Sequence, residues 1–202
     1  MSRKIRAPKK FSCTNILDFI EALNISEQNL YSQLQDFECT PNRDVENFLK
    51  KNAIEFTKKH QSVTYLVYPV DEALTVGYFA LTIKPLTIRR TDIPSNTIKR
   101  MIERMCRLDE ITQSYTLAAY LIAQLGKNFC DGINELISGR ELLNIALEVV
   151  KDMQYRAGGT VVFIETDDSP KLLDFYQANH FHLLEERKDT SSGELVQMFR
   201  VI

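Results

Sequence analysis

Glycine and proline are scarce in this chain. Seven glycines and six prolines among 202 residues exclude a collagen-like or low-complexity polymer. Long hydrophobic runs are missing too. The longest, Leu117–Leu125, has about half the residues a helix needs to cross a bilayer, and Gln124 interrupts it. The opening MSRKIRAPKKF carries the positive charge of an export signal, but Asp18, Glu21 and Asn24 break the apolar run that should follow. Neither a membrane span nor an export signal is expected. The four cysteines, Cys13, Cys39, Cys106 and Cys130, form no C-x-x-C pair, and His60, His180 and His182 have no zinc-like spacing. A reduced, cytosolic protein without a structural metal is the expectation. Internal repeats are also lacking, so the chain reads as one run of elements.

What is present suits a folded domain. Apolar residues make up 44% and charged residues 26%, enough to bury a core and keep a solvated surface. The length favours one compact domain with a modest extension. A net charge of −2 hides an uneven distribution. Residues 1–10 hold five Lys/Arg and no acid, and residues 84–107 hold seven Lys/Arg against two acids, so the remainder is strongly acidic.

Periodicity orders the elements. Ile16, Phe19, Ile20 and Leu23, then Leu30, Leu34 and Phe37 behind a capping Ser26, fit two short helices. RDVENFLKKNAIEFTKKH predicts one amphipathic helix, its acids early and its lysines late, as the helix dipole prefers. SVTYLVYP and ALTVGYFALTIK are rich in β-branched and aromatic residues and predict an antiparallel hairpin that ends at Pro85. Ser95 caps a basic helix with Ile98, Met101, Ile102 and Met105 on one face. TLAAYLIAQLG reads as a strand buried on both sides, at the centre of a sheet.

A helix opening near Ser138 or Gly139 and stopping at Gly158-Gly159 leads into TVVFIET, a second buried strand. Strand, helix and strand over 116–166 form a βαβ unit, which makes the two strands parallel neighbours. Asp168 or Ser169 then caps PKLLDFYQAN, and HFHLLEE with ELVQMFRVI closes a hairpin around Ser192-Gly193. The fold class is α/β with a mixed sheet.

A strand that runs into a loop and a helix N-terminus gathers unpaired backbone N–H groups and part of a positive charge, which suits phosphate. Gly139 permits close backbone approach, and Ser138 and Arg140 add a hydroxyl and a cation. An ordinary βαβ turn with a capping serine explains the same residues. No G-K-[ST] follows, and G-x-G-x-x-G is absent, so neither the Walker loop nor the dinucleotide fingerprint applies.

The element order, with S-G-R-E-L-L opening a helix and F-Y-x-x-x-H-F after the second strand, resembles the GNAT superfamily of N-acetyltransferases over about residues 39–202. That resemblance implies a mostly antiparallel mixed sheet with a central parallel βαβ unit, a splayed strand pair and helices on both faces. It divides the chain into a basic, helical extension at 1–38 and a transferase domain at 39–202. It also implies acetyl-CoA as cosubstrate and direct attack by a primary amine without an acyl-enzyme, which leaves Cys106 and Cys130 no nucleophilic role.

In the family, [QR]-x-x-G-x-[GA] followed by a leucine pair holds the pyrophosphate. By that likeness Asn134, Ile137 and Gly139 occupy the three signature positions, with Ser138, Arg140 and Glu141 offering N–H groups beside them and Leu142-Leu143 as the pair. Ile137 and Asn134 depart from the pattern. Leu125, Gly126 and Lys127 match the strand end that pairs with the pantetheine arm. Tyr176 stands where the general acid protonates the leaving thiolate, and His180 where the family has glycine. Glu165, beside the implied cleft, is the candidate base. A core tyrosine and a paired strand-end carboxylate are the structural alternatives for these two residues.

The front half is similar in order to the toxin acetyltransferases of toxin–antitoxin pairs, which act on aminoacyl-tRNA. Lys84, Arg89, Arg90, Lys99, Arg100, Arg104 and Arg107 suit such a partner, whereas the negative net charge and the altered loop do not. Three readings stand open: an N-acetyltransferase of unassigned amine, a toxin-like enzyme acting on charged tRNA, and a non-catalytic interaction module. A homodimer is compatible with each.

Overall fold

The computed structural model describes residues 10–190 and 193–202, with 185–190, 193 and 194 described through their backbone. The basic tail at 1–9 and Ser192 of the final turn lie outside the described residues. One seven-stranded sheet runs in the order β1-β2-β3-β4-β5-β7-β6, and the chain divides into two compact units. Among the described residues no helix is long and apolar enough to cross a membrane.

The first unit comprises the chain up to Ala80 together with Gln124–Ile145. It opens with β1 (Phe11–Asn15), which pairs antiparallel with β2 (Val63–Pro69) from Phe11↔Pro69 to Asn15↔Tyr65. No sequence pattern marks this strand. Five residues are too few for a period-two pattern, and only the distant partner makes them a strand. Asn15 then caps α1 (Ile16–Glu21) by accepting the Leu17 N–H at 3.0 Å, and Ser26 caps α2 (Glu27–Leu34) by accepting from Asn29 at 3.2 Å.

The amphipathic stretch expected as one helix is two, α3 (Arg43–Lys51) and α4 (Ala53–Lys58). They part at Asn52, whose φ of −118° leaves the helical range. The expected acid-to-base order survives within α3, with Asp44 and Glu46 in its first turn and Lys50 and Lys51 in its last. Ile16, Leu30, Leu34, Phe37, Leu49, Ala53, Leu66 and Tyr78 close the core of this unit.

Strand β3 (Gly77–Arg89) passes from the first unit into the second. It does not end at Pro85, as the sequence suggested. Proline lacks an N–H and is tolerated where a ladder bond is not needed. The seven residues of β2 cannot flank all thirteen of β3, so part of β3 has a strand on one side only.

The second unit comprises Leu81–Ala123 and Ala146–Ile202. It holds α5 (Asn96–Glu103), capped by Ser95, whose hydroxyl accepts from Ile98 N–H at 3.2 Å. Strand β4 (Ser114–Lys127) follows and runs into the first unit. From Tyr115 its opening half alternates, with Thr116 and Ala118 exposed, and the longest run buried on consecutive positions is Ala119–Ile122. Burial on both faces therefore applies to a shorter stretch than expected.

Helix α6 (Gly139–Ala157) crosses between parallel neighbours β4 and β5 (Val161–Asp167). It stops at Gly158 and Gly159, both at positive φ, and a Cβ at Gly159 would stand 2.8 Å from the Tyr120 ring. The Tyr120 hydroxyl donates to the Gly158 carbonyl, which locks the helix end to β4.

Pro170 starts α7 (Pro170–Ala178), with Ser169 as the cap residue. β6 (His182–Thr190) and β7 (Gly193–Val201) form the final antiparallel hairpin, and β7 lies between β5 and β6. The core of this unit includes Leu86, Ile88, Ile102, Tyr115, Leu121, Phe163 and Phe199.

The β4–β5 ladder is short. It consists of Tyr120↔Val162, Leu121↔Phe163 and Ile122↔Ile164, yet β4 continues to Lys127 and β5 to Asp167. β5 meanwhile stays paired with β7 over its whole length, Val161↔Val201 to Asp167↔Leu195.

Candidate functional site

Within the first unit, the segment after β4 is organised by a residue that no motif marks. Asn128 is buried, and its side-chain oxygen accepts the N–H groups of Glu38 and Cys130, each at 3.1 Å, while its Nδ2 donates to the Thr75 carbonyl at 3.0 Å. One amide thus ties the end of β4 to two distant segments. A polar residue directly after an apolar strand is the one signal of it in the sequence.

Gly126, one of the three strand-end residues named from the family likeness, is buried. A Cβ there would approach Val45 Cγ1 to 2.5 Å, so helix α3 packs onto bare backbone. Leu125 and Lys127 flank it, both half-buried. Lys127 donates from Nζ to the Asn134 carbonyl at 2.8 Å, which brings two of the predicted residues together across the loop. Between them the chain turns through Asp131, at φ 47°, in a 3-10 segment over Cys130–Glu135.

Ile137, at a glycine position of the signature, is 1% exposed and has no left-handed backbone. Its side chain goes into the core, so the departure from glycine does not block the loop surface. Ser138, Gly139, Arg140 and Glu141 form the helix start. The Ser138 hydroxyl accepts the Glu141 N–H at 3.1 Å, and the Glu141 carboxylate accepts the Ser138 N–H at 2.9 Å and its hydroxyl at 2.8 Å. This is a reciprocal capping box.

Those donors hold the Glu141 carboxyl below the usual carboxylate range, the Ser138 N–H first and its hydroxyl next, with a contribution from the Lys10 charge. The contribution of this box to stability is present above the ordinary carboxylate pKa and is lost as pH falls through the lowered one. An anion arriving here meets the N–H groups of Gly139 and Arg140, which a helix leaves without intrahelical acceptors, and the exposed Arg140 cation. The Ser138 N–H is already taken by a negative group. The residues therefore fit a pyrophosphate in part.

The second unit carries the other two candidates. Tyr176 is 8% exposed and packs edge-on against Phe175 and Phe181, with ring centroids 5.0 and 5.5 Å away. Among the described residues its hydroxyl has no hydrogen-bond partner. Burial pushes the phenol up to about 12, so it is fully protonated at neutral pH.

The Phe181 N–H donates to the Tyr176 carbonyl at 3.0 Å and the His180 N–H to Gln177 at 2.9 Å, a Schellman end for α7. His180 stands at φ 66°, which is the physical reason a glycine suits this position. It precedes β6 rather than lying in it, and only His182 belongs to the strand. His180→Gly is expected to raise unfolding stability by about 0.5–1 kcal/mol, the left-handed penalty outweighing the entropy of glycine. A denaturant midpoint at or below that of the parent chain would contradict this.

Glu165 lies on β5 just past the last β4–β5 pair. It is opposite Gln197 of β7, whose Nε2 donates to Glu165 Oε1 at 2.8 Å. Glu165 is half-buried, and the bond from Gln197 comes from a neutral amide. The geometry thus groups the strand end and helix start in the first unit, and Glu165 and Tyr176 in the second.

No protein-family model matches the sequence, and no curated protein matches it. Solved structures do. AtaT complexed with acetyl-methionyl-tRNAfMet superposes with a TM-score of 0.63 at 16% identity, covering 95% of this chain and 94% of that one. A bacterial toxin gives 0.64 at 15% identity over 95% and 90% of the two chains. A tyrosine-to-phenylalanine variant of KacT gives 0.61 at 16% identity over 96% and 95%. The chain therefore shares the fold of these structures, a GNAT-like mixed sheet with a parallel β4–β5 pair.

Proposed function

We propose that this chain is an acetyl-CoA-dependent N-acetyltransferase whose acceptor is the amino group of aminoacyl-tRNA. The observation that carries the transferase reading is the short β4–β5 ladder. Among the described residues the β4–β5 pairing ends at Ile122↔Ile164, and in this reading the backbone of Leu125, Gly126 and Lys127 pairs with the extended thioester arm. The acceptor rests on the likeness of the fold to AtaT, seen with an acetylated methionyl-tRNA and also with acetyl-CoA. The transferase part is assigned to residues 39–202, with residues 1–38 as an extension whose β1 adds a strand to the sheet.

The chemistry needs an amine lone pair, an electrophilic thioester and a proton for the leaving sulfur. The amine nitrogen forms the new bond to the acetyl carbon as the carbon–sulfur bond breaks. In this reading Glu165 takes the ammonium proton through water, and Tyr176 gives its phenolic proton to the thiolate and regains one from solvent. Gly139 and Arg140 hold the pyrophosphate by their N–H groups, the Arg140 side chain adding charge. Ser138 and Glu141 shape that helix start, Ile137 anchors it in the core, and the Asn134 carbonyl fixes Lys127 over the loop.

Titration calorimetry with acetyl-CoA, together with acetyl transfer from labelled acetyl-CoA to charged tRNA, tests the proposal. Heat in the first measurement and label on the aminoacyl group in the second are the expected results. Absence of heat at millimolar acetyl-CoA would remove every enzymatic reading. A second reading, a non-catalytic module with the same fold, draws on one observation: the Glu141 carboxylate already occupies the Ser138 N–H.

The two readings separate on one variant. Glu141→Gln keeps an oxygen to accept from Ser138 but removes the charge at the helix start. If Gly139 and Arg140 cradle a pyrophosphate, its affinity for acetyl-CoA should rise about two- to fivefold, the worth of one charge at a helix terminus. An unchanged or absent binding signal in both proteins supports the module instead.

A further inference from the structure

We infer that Asn128 is a positioning residue for the acyl donor: its buried amide sets the course of the Leu125–Lys127 backbone, against which the thioester arm of acetyl-CoA lies. The inference rests on the transferase reading, which names that backbone but not what holds it. All the residues it invokes belong to the first unit.

Asn128 is 5% exposed and stands directly after the last residue of β4. Its side-chain bonds form a local set and a distant one. The bond that Oδ1 accepts from the Cys130 N–H is local, a turn that asparagine makes with its own backbone two residues on. The bonds to the Glu38 N–H and the Thr75 carbonyl are distant, reaching 90 and 53 residues along the chain. Two N–H groups aim at one atom of the amide and a carbonyl at the other, so its oxygen and nitrogen cannot be exchanged.

The backbone repeats what the side chain does. The Asn128 N–H donates to the Val76 carbonyl at 2.9 Å, and the Phe129 N–H donates to the Glu38 carbonyl at 2.7 Å. The end of β4 is therefore gripped from Glu38 on one hand and from Thr75 and Val76 on the other. Two residues past Thr75, a Cβ at Gly77 would stand 2.9 Å from the Gly126 carbonyl oxygen, closer than such atoms normally approach. The segment that Asn128 holds is thus the one against which the Gly126 peptide rests.

A main-chain ladder to a ligand leaves little slack. Misplacing a reacting group by about 1 Å can cost about 10²-fold in rate, and the amide at Asn128 fixes the far end of the strand residues that the arm pairs with. Without the distant bonds, that strand end must be ordered at the moment of binding, which lowers the affinity.

The test uses the full chain and two variants. Asn128→Ser keeps a hydroxyl for the local turn to Cys130 but cannot reach Glu38 and Thr75, and Asn128→Leu drops all three side-chain bonds. Calorimetric titration is expected to show acetyl-CoA bound about tenfold more weakly in both, the worth of one hydrogen bond no longer made. Adenosine diphosphate, which presents a pyrophosphate without the arm, should bind the variants as it binds the parent. The side-chain bonds of Asn128 reach residues 38, 75 and 130, and the helix start has its own local ties in the Ser138–Glu141 box. Leu30→Ala opens a cavity at a fully buried position in the core of the same unit and controls for general loosening. It should keep the parent's affinity for acetyl-CoA when all proteins are titrated well below their melting temperatures.

Parent-like affinity for acetyl-CoA in Asn128→Ser would overturn the inference alone, and this variant decides if Asn128→Leu does not fold. An equal loss for adenosine diphosphate, or an equal loss of acetyl-CoA affinity in Leu30→Ala, would make Asn128 a residue of general stability and would also overturn it. A parent chain that gives no heat with acetyl-CoA overturns the transferase reading and the inference together.

Discussion

Replacing Tyr176 by phenylalanine is expected to lower turnover on charged tRNA by about 10²- to 10⁴-fold, the range of a general acid, while leaving acetyl-CoA affinity intact. The substitution removes one oxygen. The ring contacts with Phe175 and Phe181 stay, and no hydrogen-bond partner among the described residues is orphaned, so stability should change little. Turnover and denaturation measured on the same preparation separate a chemical loss from a folding loss.

The pH dependence sharpens the test. Burial raises this phenol to about 12, so the acid form persists through the pH range of any ordinary assay. In the parent enzyme no fall in rate assignable to Tyr176 is expected below about pH 11. The stabilising effect of the neutral buried phenol is likewise intact below the unfolded value near 10 and is lost as pH rises through about 12. If the Tyr176→Phe variant turned over as fast as the parent, the residue would be a packing group only, and the missing proton donor would have to be sought elsewhere.

Truncation of Phe163 to alanine carries the largest expected stability loss, about 3–5 kcal/mol, from lost transfer free energy and the cavity left behind. Phe163 is 1% exposed, stands opposite Leu121 in the middle pair of the three-pair ladder, and is opposite Phe199 on the other side. A loss of that size is a large part of the about 5–15 kcal/mol that holds most domains folded. Urea unfolding should show a lower midpoint with an unchanged slope. A loss under about 1 kcal/mol would mean that the strands close around this position without tight packing.

How far the sequence leads can be judged residue by residue. Ser26, Asn42 and Ser95 are within its reach because a cap depends on contacts within three residues, and the pattern singles out two of them, Ser26 and Ser95. The Gly158-Gly159 stop and the βαβ unit are legible for a similar reason, a local backbone demand and a chain-order rule. Strand β1 is not, since Phe11–Asn15 becomes a strand only when β2 lies beside it. The course of β3 through Pro85 defies the sequence pattern because proline breaks a ladder only where a ladder bond is needed.

The candidate site divides along the same line. The helix-start pattern singled out Gly139 and Arg140, the resemblance proposed Tyr176, and His180 at a glycine position acquires a reason from its positive φ. The grip of Glu141 on the Ser138 N–H is written in the S-x-x-E spacing, although the likeness assigned Glu141 only an N–H to offer. The bonds of Asn128 and the bond of Gln197 to Glu165 join residues far apart in the chain, and no spacing rule reaches them.

Composition and periodicity settled what each segment could be, a buried helix face, a strand or a capped turn, because those preferences act over a few neighbouring residues. Tertiary structure alone decided which strands meet and how far they stay paired, where a buried phenol loses its solvent, and which distant groups a buried amide holds. Hydrogen-bond ladders, desolvation and charge pairing all depend on distance in space, and the chain sets that distance only by folding.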